Sequence, residues 1–342
     1  MSWDHELSDE QRRIASHDGE IVRLVAGPGT GKTRVMTRRI AYLIEDAGVN
    51  PTEILALTFS RAAARELRER LEDLLDDADG DRPSVYTLHA FALRQLLRAG
   101  GAPGLPHPIQ IADDYDERWV IKAEIAKLTE TGVKDVDKEL RNLASDWETL
   151  AVDQDEWERN FPNGQFLAAW RQHREVYGYT LRAELVYALK KALDEDPDME
   201  MEPEFTHVLV DEYQDLNRCE IAVLERLAAS RRLFVAGDDD QSIYGFRNAY
   251  PLGLREFPET YTDTAQEELA ECHRCDCDIL SIGLQVAEQD IDRIPKALGP
   301  LPEAADGHVE ALGFRDTEHE AEGIAGICRA WSRIRMFNLT AF

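Results

Sequence analysis

Eight consecutive residues, Ala26, Gly27, Pro28, Gly29, Thr30, Gly31, Lys32 and Thr33, combine three glycines, a lysine and a hydroxyl in the spacing of a phosphate-binding loop. Glycines let the backbone turn so that successive N–H groups face one anion, and the start of a following helix adds its positive dipole end. Lys32 is placed to reach β- and γ-phosphates, and the Thr33 hydroxyl to ligate Mg²⁺. Lys32 is also the sole lysine in the first 121 residues, in a chain where 31 of 39 basic residues are arginine. A compact ammonium is kept where a point charge serves better than a planar fork. The second half of the chemistry is Asp211-Glu212, directly after the apolar run Thr206-His-Val-Leu-Val210. A carboxylate at a strand's end suits Mg²⁺, which assigns that role to Asp211. Its neighbour Glu212 is then the general base for an attacking water. Together these residues predict binding and hydrolysis of ATP·Mg²⁺.

Such a site needs a sheet to hold it. Glu20 to Val25 and Ile54 to Thr58 read as strands. Helices are expected from Lys32 to about Glu45 and from Ala62 to about Leu75, with Val35, Met36, Ile40, Leu43 and Ile44 on one face of the first. Strand–helix alternation of this kind predicts an α/β fold with a parallel sheet covered on both faces. From about 92 to 193 the periodicity is helical with almost no strand signal, which predicts a helical insertion with Trp119, Trp147 and Trp170 in its core. Strands resume at Thr206–Val210 and Leu233–Ala236. The acidic stretches Asp76–Asp81 and Asp194–Glu204 read as solvated loops.

At this point several strings resemble the motifs of UvrD/Rep-type superfamily 1 DNA helicases. Asp211-Glu-Tyr-Gln-Asp-Leu-Asn217 resembles their motif II, and Gly237-Asp-Asp-Asp-Gln-Ser-Ile-Tyr-Gly-Phe-Arg247 their motif III. Leu7-Ser-Asp-Glu-Gln11 is similar to the Q motif, the stretch from Leu57 to Leu67 to motif Ia, and Thr87-Leu-His-Ala-Phe91 to motif Ib. With the phosphate loop these make six motifs in the family's order, and the resemblance covers roughly residues 4 to 331. It implies a RecA-like P-loop NTPase sheet formed by 1–91 and 194–276, interrupted by the helical insertion 92–193. The start of a second RecA-like domain would follow over 277–342. It also implies roles: Gln11 reading the adenine, Arg34 beside the base, and Gln241 sensing the γ-phosphate. Thr58, Phe59, Thr87 and His89 would line a groove for single-stranded DNA, Tyr244 and Phe246 would stack on bases, and Arg247 would be a coupling cation. The implied activity is ATP-driven 3′-to-5′ movement on DNA with a 3′ tail.

Two regions depart from the family pattern. Where Asn-Tyr-Arg-Ser is usual in motif IV, the chain has Cys272-His-Arg-Cys275, which keeps Arg274 as the γ-phosphate arginine. One C-x-x-C without a distant second pair is not a zinc pattern, so Cys272, Cys275 and Cys277 are read as buried small apolar residues. Ile291–Leu298 and Gly323–Trp331 look like the opening of the second RecA-like domain, whose motifs V and VI do not follow. The last 20 residues hold no acid although about one residue in five of the chain is acidic, which marks the tail from about Ser332 as foreign to the domain. These features lead to the expectation of a truncated motor, one in which a second polypeptide supplies motifs V and VI, or of an ATP-switched module that binds DNA or a partner without unwinding. A P-loop ATPase of another kind fits the motif II and III strings poorly.

Composition limits the setting. There are 67 acidic against 39 basic residues, for a net charge of −28. Self-repulsion of this size opposes compaction in dilute buffer. In molar salt the Debye length drops to about 3 Å. A salt-loaded, halophile-like cytoplasm is therefore expected. No apolar run is long enough for a membrane span. High salt also weakens the counterion-release drive onto DNA, so stacking must carry more of any nucleic-acid contact.

Overall fold

The computed structural model describes residues 2–75, 80–196, 199 and 204–335, with the backbone alone for Phe246 and 331–335. Six parallel strands form one sheet: β1 (Ile21–Ala26), β2 (Ile54–Thr58), β3 (Ser84–Thr87), β4 (His207–Val210), β5 (Arg232–Gly237) and β6 (Ala265–Leu269), in the order β3-β2-β4-β5-β1-β6. Because side chains alternate along a strand, each strand feeds two cores. Ile54, Ala56, Leu209, Phe234, Val22 and Leu24 face one side, under α2 (Lys32–Glu45) and α3 (Arg61–Leu74). Leu55, Leu57, Val208, Val210, Leu233 and Val235 face the other. There they pack against α4 (Leu88–Arg98) and the helices Leu185–Glu195 and Arg218–Ala228. The α/β parallel sheet expected from the sequence is the fold of the chain.

Two strands were not expected, β3 and β6. Ala265-Gln-Glu-Glu-Leu269 carries little β-propensity, and its place is set by register with β1, from Val22↔Ala265 to Ala26↔Leu269. Its Glu267 is held by Arg13 of α1 (Asp9–Ala15) through two contacts of 2.6 and 2.7 Å.

Between α4 and the helix Leu185–Glu195 lies a separate core. Ile125, Val136, Leu140, Leu143, Trp147, Phe166 and Trp170 build it, with the two tryptophan rings 5.9 Å apart. Trp119 is not in that core: it is 58% exposed, with Arg118 over its ring at 4.9 Å. It sits in a π-helical turn, Asp116–Ile121. The expectation of a core tryptophan, made from residue type alone, therefore does not hold for Trp119. The expected loop Asp194–Glu204 also begins late. The helix runs to Glu195, and Asp194 pairs with Lys190 and Arg226 at 2.9 Å each. Most of the rest of that stretch lies outside the described residues, as do 76–79 of the other acidic loop.

Ile291 is exposed, while the stretch 293–298 packs at the C-terminal ends of β5 and β1, against Asp239, Asp240 and Gly27. A short strand pair, Glu271–Cys272 with Gly299–Pro300, fixes its exit. The helix Thr317–Arg335 runs through Ser332, and residues 336–342 lie outside the described ones. Among the described residues no helix is long and apolar enough to cross a membrane.

Candidate functional site

The strand ends converge on one crevice. β1 runs into the loop Gly27–Gly31, which opens α2 at Lys32. Gly29 and Gly31 have φ of +74° and +90°, a region that L side chains rarely adopt. A Cβ on Gly29 would lie 2.5 Å from the Arg274 Cβ, so this glycine also admits the segment carrying Arg274. The His273 N–H donates to the Gly29 carbonyl at 2.9 Å, which seats Arg274 beside the loop. Thr30 is buried and its hydroxyl donates to the Gly27 carbonyl at 2.9 Å, closing the loop on itself. Gln11 Nε2 donates to the Thr30 carbonyl at 3.1 Å while its Oε1 accepts from the Ser8 N–H at 3.3 Å. Both ends of that amide are thus engaged in holding the loop. Arg34 turns to the Glu6 carbonyl at 2.8 Å.

β4 delivers the carboxylates. Asp211 is buried, and Thr33 Oγ1 donates to its Oδ2 at 3.4 Å. Burial raises its carboxyl above the ordinary range, with Lys32 opposing and Glu212 reinforcing the shift. Glu212 adopts a left-handed φ of +54°, which turns its side chain back toward Lys32, and the two groups are hydrogen-bonded. A hydroxyl and a carboxylate side by side are hard oxygen donors of the kind Mg²⁺ takes, so Thr33 and Asp211 fit that ion. Gln214 Nε2 also donates to Glu212, at 2.9 Å.

A second group of residues sits at the ends of β2, β3 and β5. Thr58 and Thr87 are register partners on adjacent strands. The Thr87 hydroxyl caps α4 by accepting from the Ala90 N–H, and the Thr58 hydroxyl donates to the Ser60 carbonyl at 3.2 Å. Phe59 and Tyr244 lie with ring centroids 5.1 Å apart, and the Arg247 guanidinium stands 5.2 Å over the Phe59 ring. The side chain of Phe246 lies outside the described part of the chain. His89 lies 3.8 Å from Glu220. Burial first, then Arg182, Arg247 and Arg61, pushes the His89 imidazole down to about 4 and keeps it neutral. Gln241 donates to Asp238 Oδ2 at 2.6 Å. Cys272 is buried as expected, whereas Cys275 and Cys277 are only half-buried.

Behind this group, Glu220 is buried, its carboxylate accepting from the Asn217 N–H at 3.0 Å. Burial pushes its carboxyl up to about 7 from an ordinary value of 4.5, against the opposing pull of that N–H. A raised carboxyl contributes fully below the unfolded value, and its contribution is lost as pH climbs through the folded one. Glu220→Gln should therefore gain stability relative to the native chain between pH 4.5 and 8, by up to about 3 kcal/mol. Urea titrations of both chains at the two pH values check this, and a pH-independent difference would overturn it.

Gln214, Lys296, Glu148 and Asn248 were not singled out from the sequence. Asn248 donates to Glu148 Oε2 at 2.7 Å, which ties the helical block to the stretch carrying Tyr244 and Arg247. Gln214 sits inside the motif II string, and Lys296 is the one lysine after Lys191. The scarcity that pointed to Lys32 pointed to Lys296 as well.

A parallel sheet with a glycine-rich loop at the end of β1 and paired acids at the end of β4 defines a P-loop α/β nucleotide-binding protein. The chain belongs to the UvrD/REP helicase N-terminal domain family, whose model matches residues 7–262. It is similar to the ATP-dependent DNA helicase UvrD1 of Mycobacterium leprae, with 32% identity over 93% of this chain and 44% of that protein. The ATP-dependent DNA helicase PcrA of Leuconostoc citreum is 32% identical over 80% of this chain and 38% of its own length. PcrA of Staphylococcus aureus is 29% identical over 86% and 41%. The chain thus spans about two fifths of the relatives it matches.

Proposed function

We propose that this chain is the ATP-binding half of a 3′-to-5′ single-stranded-DNA translocase or helicase serving DNA repair or replication. The observation that carries the reading is the joining of Lys32 to Glu212 and of Thr33 to Asp211 in one crevice, with the Phe59–Tyr244–Arg247 group at neighbouring strand ends. In this reading the Gly27–Gly31 amides and Lys32 hold the phosphates, and Thr33 and Asp211 hold Mg²⁺. When bound, Mg²⁺ neutralises charge on the β- and γ-oxygens. Glu212 accepts the proton of the attacking water, and Arg274 and Gln241 respond to the γ-phosphate. Thr58, Thr87, His89 and the Phe59–Tyr244 pair hold DNA.

A second RecA-like domain with its own γ-phosphate arginine completes such a motor. Arginine fingers are worth about 10³–10⁵ in rate, so turnover by this chain alone is expected to be weak. The helix Cys277–Ala287 exposes Ile279, Ile282 and Val286, a face suited to further chain or to a second polypeptide carrying motifs V and VI. That face also favours the second reading, an ATP-switched module that binds DNA or a partner without unwinding.

Steady-state ATP hydrolysis in molar KCl with Mg²⁺, with and without single-stranded DNA, tests the proposal. DNA-stimulated turnover, absent in Lys32→Ala, supports the motor. Binding of ATP·Mg²⁺ and DNA without turnover means that a second domain is essential or that the chain is a switched module. Strand separation by the chain alone eliminates the switched module, and absence of nucleotide binding refutes both. Charge makes a further prediction. At −28, raising KCl from 0.1 M to about 2 M should raise the melting temperature by several degrees or more through screening. A flat or falling melting temperature would refute adaptation to a salt-loaded cytoplasm.

A further inference from the structure

Three consecutive aspartates after β5 converge on one amine. Lys296 Nζ lies 2.7 Å from Asp238 Oδ1, 2.7 Å from Asp239 Oδ1 and 2.6 Å from Asp240 Oδ2, and its side chain is 2% exposed. The three carboxylates are close enough together to share a metal ion, but the ammonium already occupies the space between them. Arg293 grips Asp240 at 2.9 and 2.6 Å, Arg255 reaches Asp239 at 2.9 Å, and the Ile294 N–H donates to Asp239 at 2.8 Å. Burial works against the charge on Lys296, yet the carboxylates outweigh it and hold the amine above its ordinary value. A rotatable ammonium with three donors fits three separate carboxylates, which a planar guanidinium does not.

The same Asp238 is the far end of a line that begins in the phosphate loop. Lys32 bonds Glu212, and Gln214 Nε2 donates to Glu212 at 2.9 Å. Gln214 Oε1 then accepts from the Asp238 N–H at 2.9 Å. Beyond Lys296 the chain returns to the loop: a Cβ on Gly27 would lie 2.5 Å from Leu298 Cδ2. The line is therefore a ring, leaving the phosphate loop through Glu212 and coming back through Leu298.

We propose that Lys296 is a positioning residue that couples the nucleotide state of the Lys32–Glu212 site to the segment 293–298 leading out of the sheet. The coupling rests on the reading of that site as one for ATP·Mg²⁺. When phosphates draw Lys32 away, Glu212 is left to Gln214 alone. Gln214 is a rigid planar amide whose other end holds Asp238, so a shift at one end is felt at the other. Asp238 carries Lys296 with it, and Lys296 carries the segment that ends at Leu298 against Gly27. A tighter Gln214–Asp238–Lys296 line makes opening of the segment rarer.

Amide hydrogen exchange at Arg293, Ile294, Lys296, Ala297 and Leu298 in the full chain, with and without a non-hydrolysable ATP analogue and Mg²⁺, reads this coupling. In the native chain the analogue should slow exchange about tenfold. In Lys296→Met the analogue should bind within about twofold of its native affinity while the slowing shrinks to less than about twofold. A purely structural lysine would raise exchange equally in both states and leave the nucleotide-dependent ratio intact, which would overturn the proposal. A native chain that binds the analogue without any change in exchange would overturn it too. A native chain that binds no analogue refutes the ATP-site reading itself, and the coupling with it. Should Lys296→Met fail to fold, Gln214→Leu cuts the line without uncovering the buried carboxylates and must abolish the same response. A tenfold slowing retained there refutes the proposal.

Discussion

Glu212→Gln is expected to bind ATP·Mg²⁺ at least as tightly as the native chain while single-turnover hydrolysis falls by about 10²–10⁴. The two effects have one origin. Without nucleotide, Lys32 is bonded to Glu212, so phosphates compete with a carboxylate for the ammonium. A neutral amide still accepts a hydrogen bond from that ammonium but lacks the Coulomb attraction of a carboxylate, so it holds Lys32 less strongly. An affinity gain of a few fold follows. The same amide cannot accept a proton from water, so the chemical step loses its base. Lys32→Ala separates the roles in the opposite sense: it removes the positive charge at the phosphates, and both affinity and turnover should fall, affinity by about tenfold or more. Equilibrium titration with a fluorescent nucleotide and rapid-quench single turnovers measure both variants. Native-like hydrolysis by Glu212→Gln would remove Glu212 from the mechanism and leave Asp215 as the nearest unassigned acid of the same string. Asp215 is raised to about 6 by burial and by Glu212 itself.

What could be read in the sequence follows from how local each determinant is. β2 was legible because Ile54-Leu-Ala-Leu57 is apolar on both faces, which only a strand buried on both sides requires. β6 was not, because an edge strand of Ala-Gln-Glu-Glu-Leu owes its conformation to β1 and not to its own residues. The phosphate loop was legible because its glycines, lysine and threonine are contiguous and their chemistry depends on order alone. The engagement of Gln11 with the Thr30 carbonyl, and of Gln241 with Asp238, depends on distances between segments that no spacing encodes. Lys296 is the instructive case. Its type was as unusual as that of Lys32, but its partners lie more than 50 positions away, and their charges were lost among so many other acids. Trp119 shows the converse limit: an apolar residue type within a helical block does not say which face of its turn, here the π-helical Asp116–Ile121, the ring takes.

Tyr244→Ala should weaken binding of single-stranded DNA by about 5- to 150-fold regardless of base sequence, since one stacked base is worth about 1–3 kcal/mol. Phe59→Ala should do nearly as much, and the double variant should lose less than the product of the two. Their rings are 5.1 Å apart, and the Arg247 guanidinium stands over Phe59, so the three groups act as one surface rather than three independent contacts. The acidity of the chain sharpens the test. A protein that holds DNA chiefly through phosphate contacts loses affinity steeply with salt, by a slope near −0.7 per phosphate on single strands. A net charge of −28 leaves little room for that mode, whereas an aromatic surface is largely indifferent to salt. Fluorescence anisotropy with a labelled oligonucleotide, measured from 0.2 to about 2 M KCl, should then give a shallow slope in the native chain and a nearly parallel line displaced toward weaker binding in Tyr244→Ala. A steep slope with no displacement would move the grip from the rings to the arginines, and the Phe59–Tyr244 pair would then be packing that merely shapes the end of the sheet.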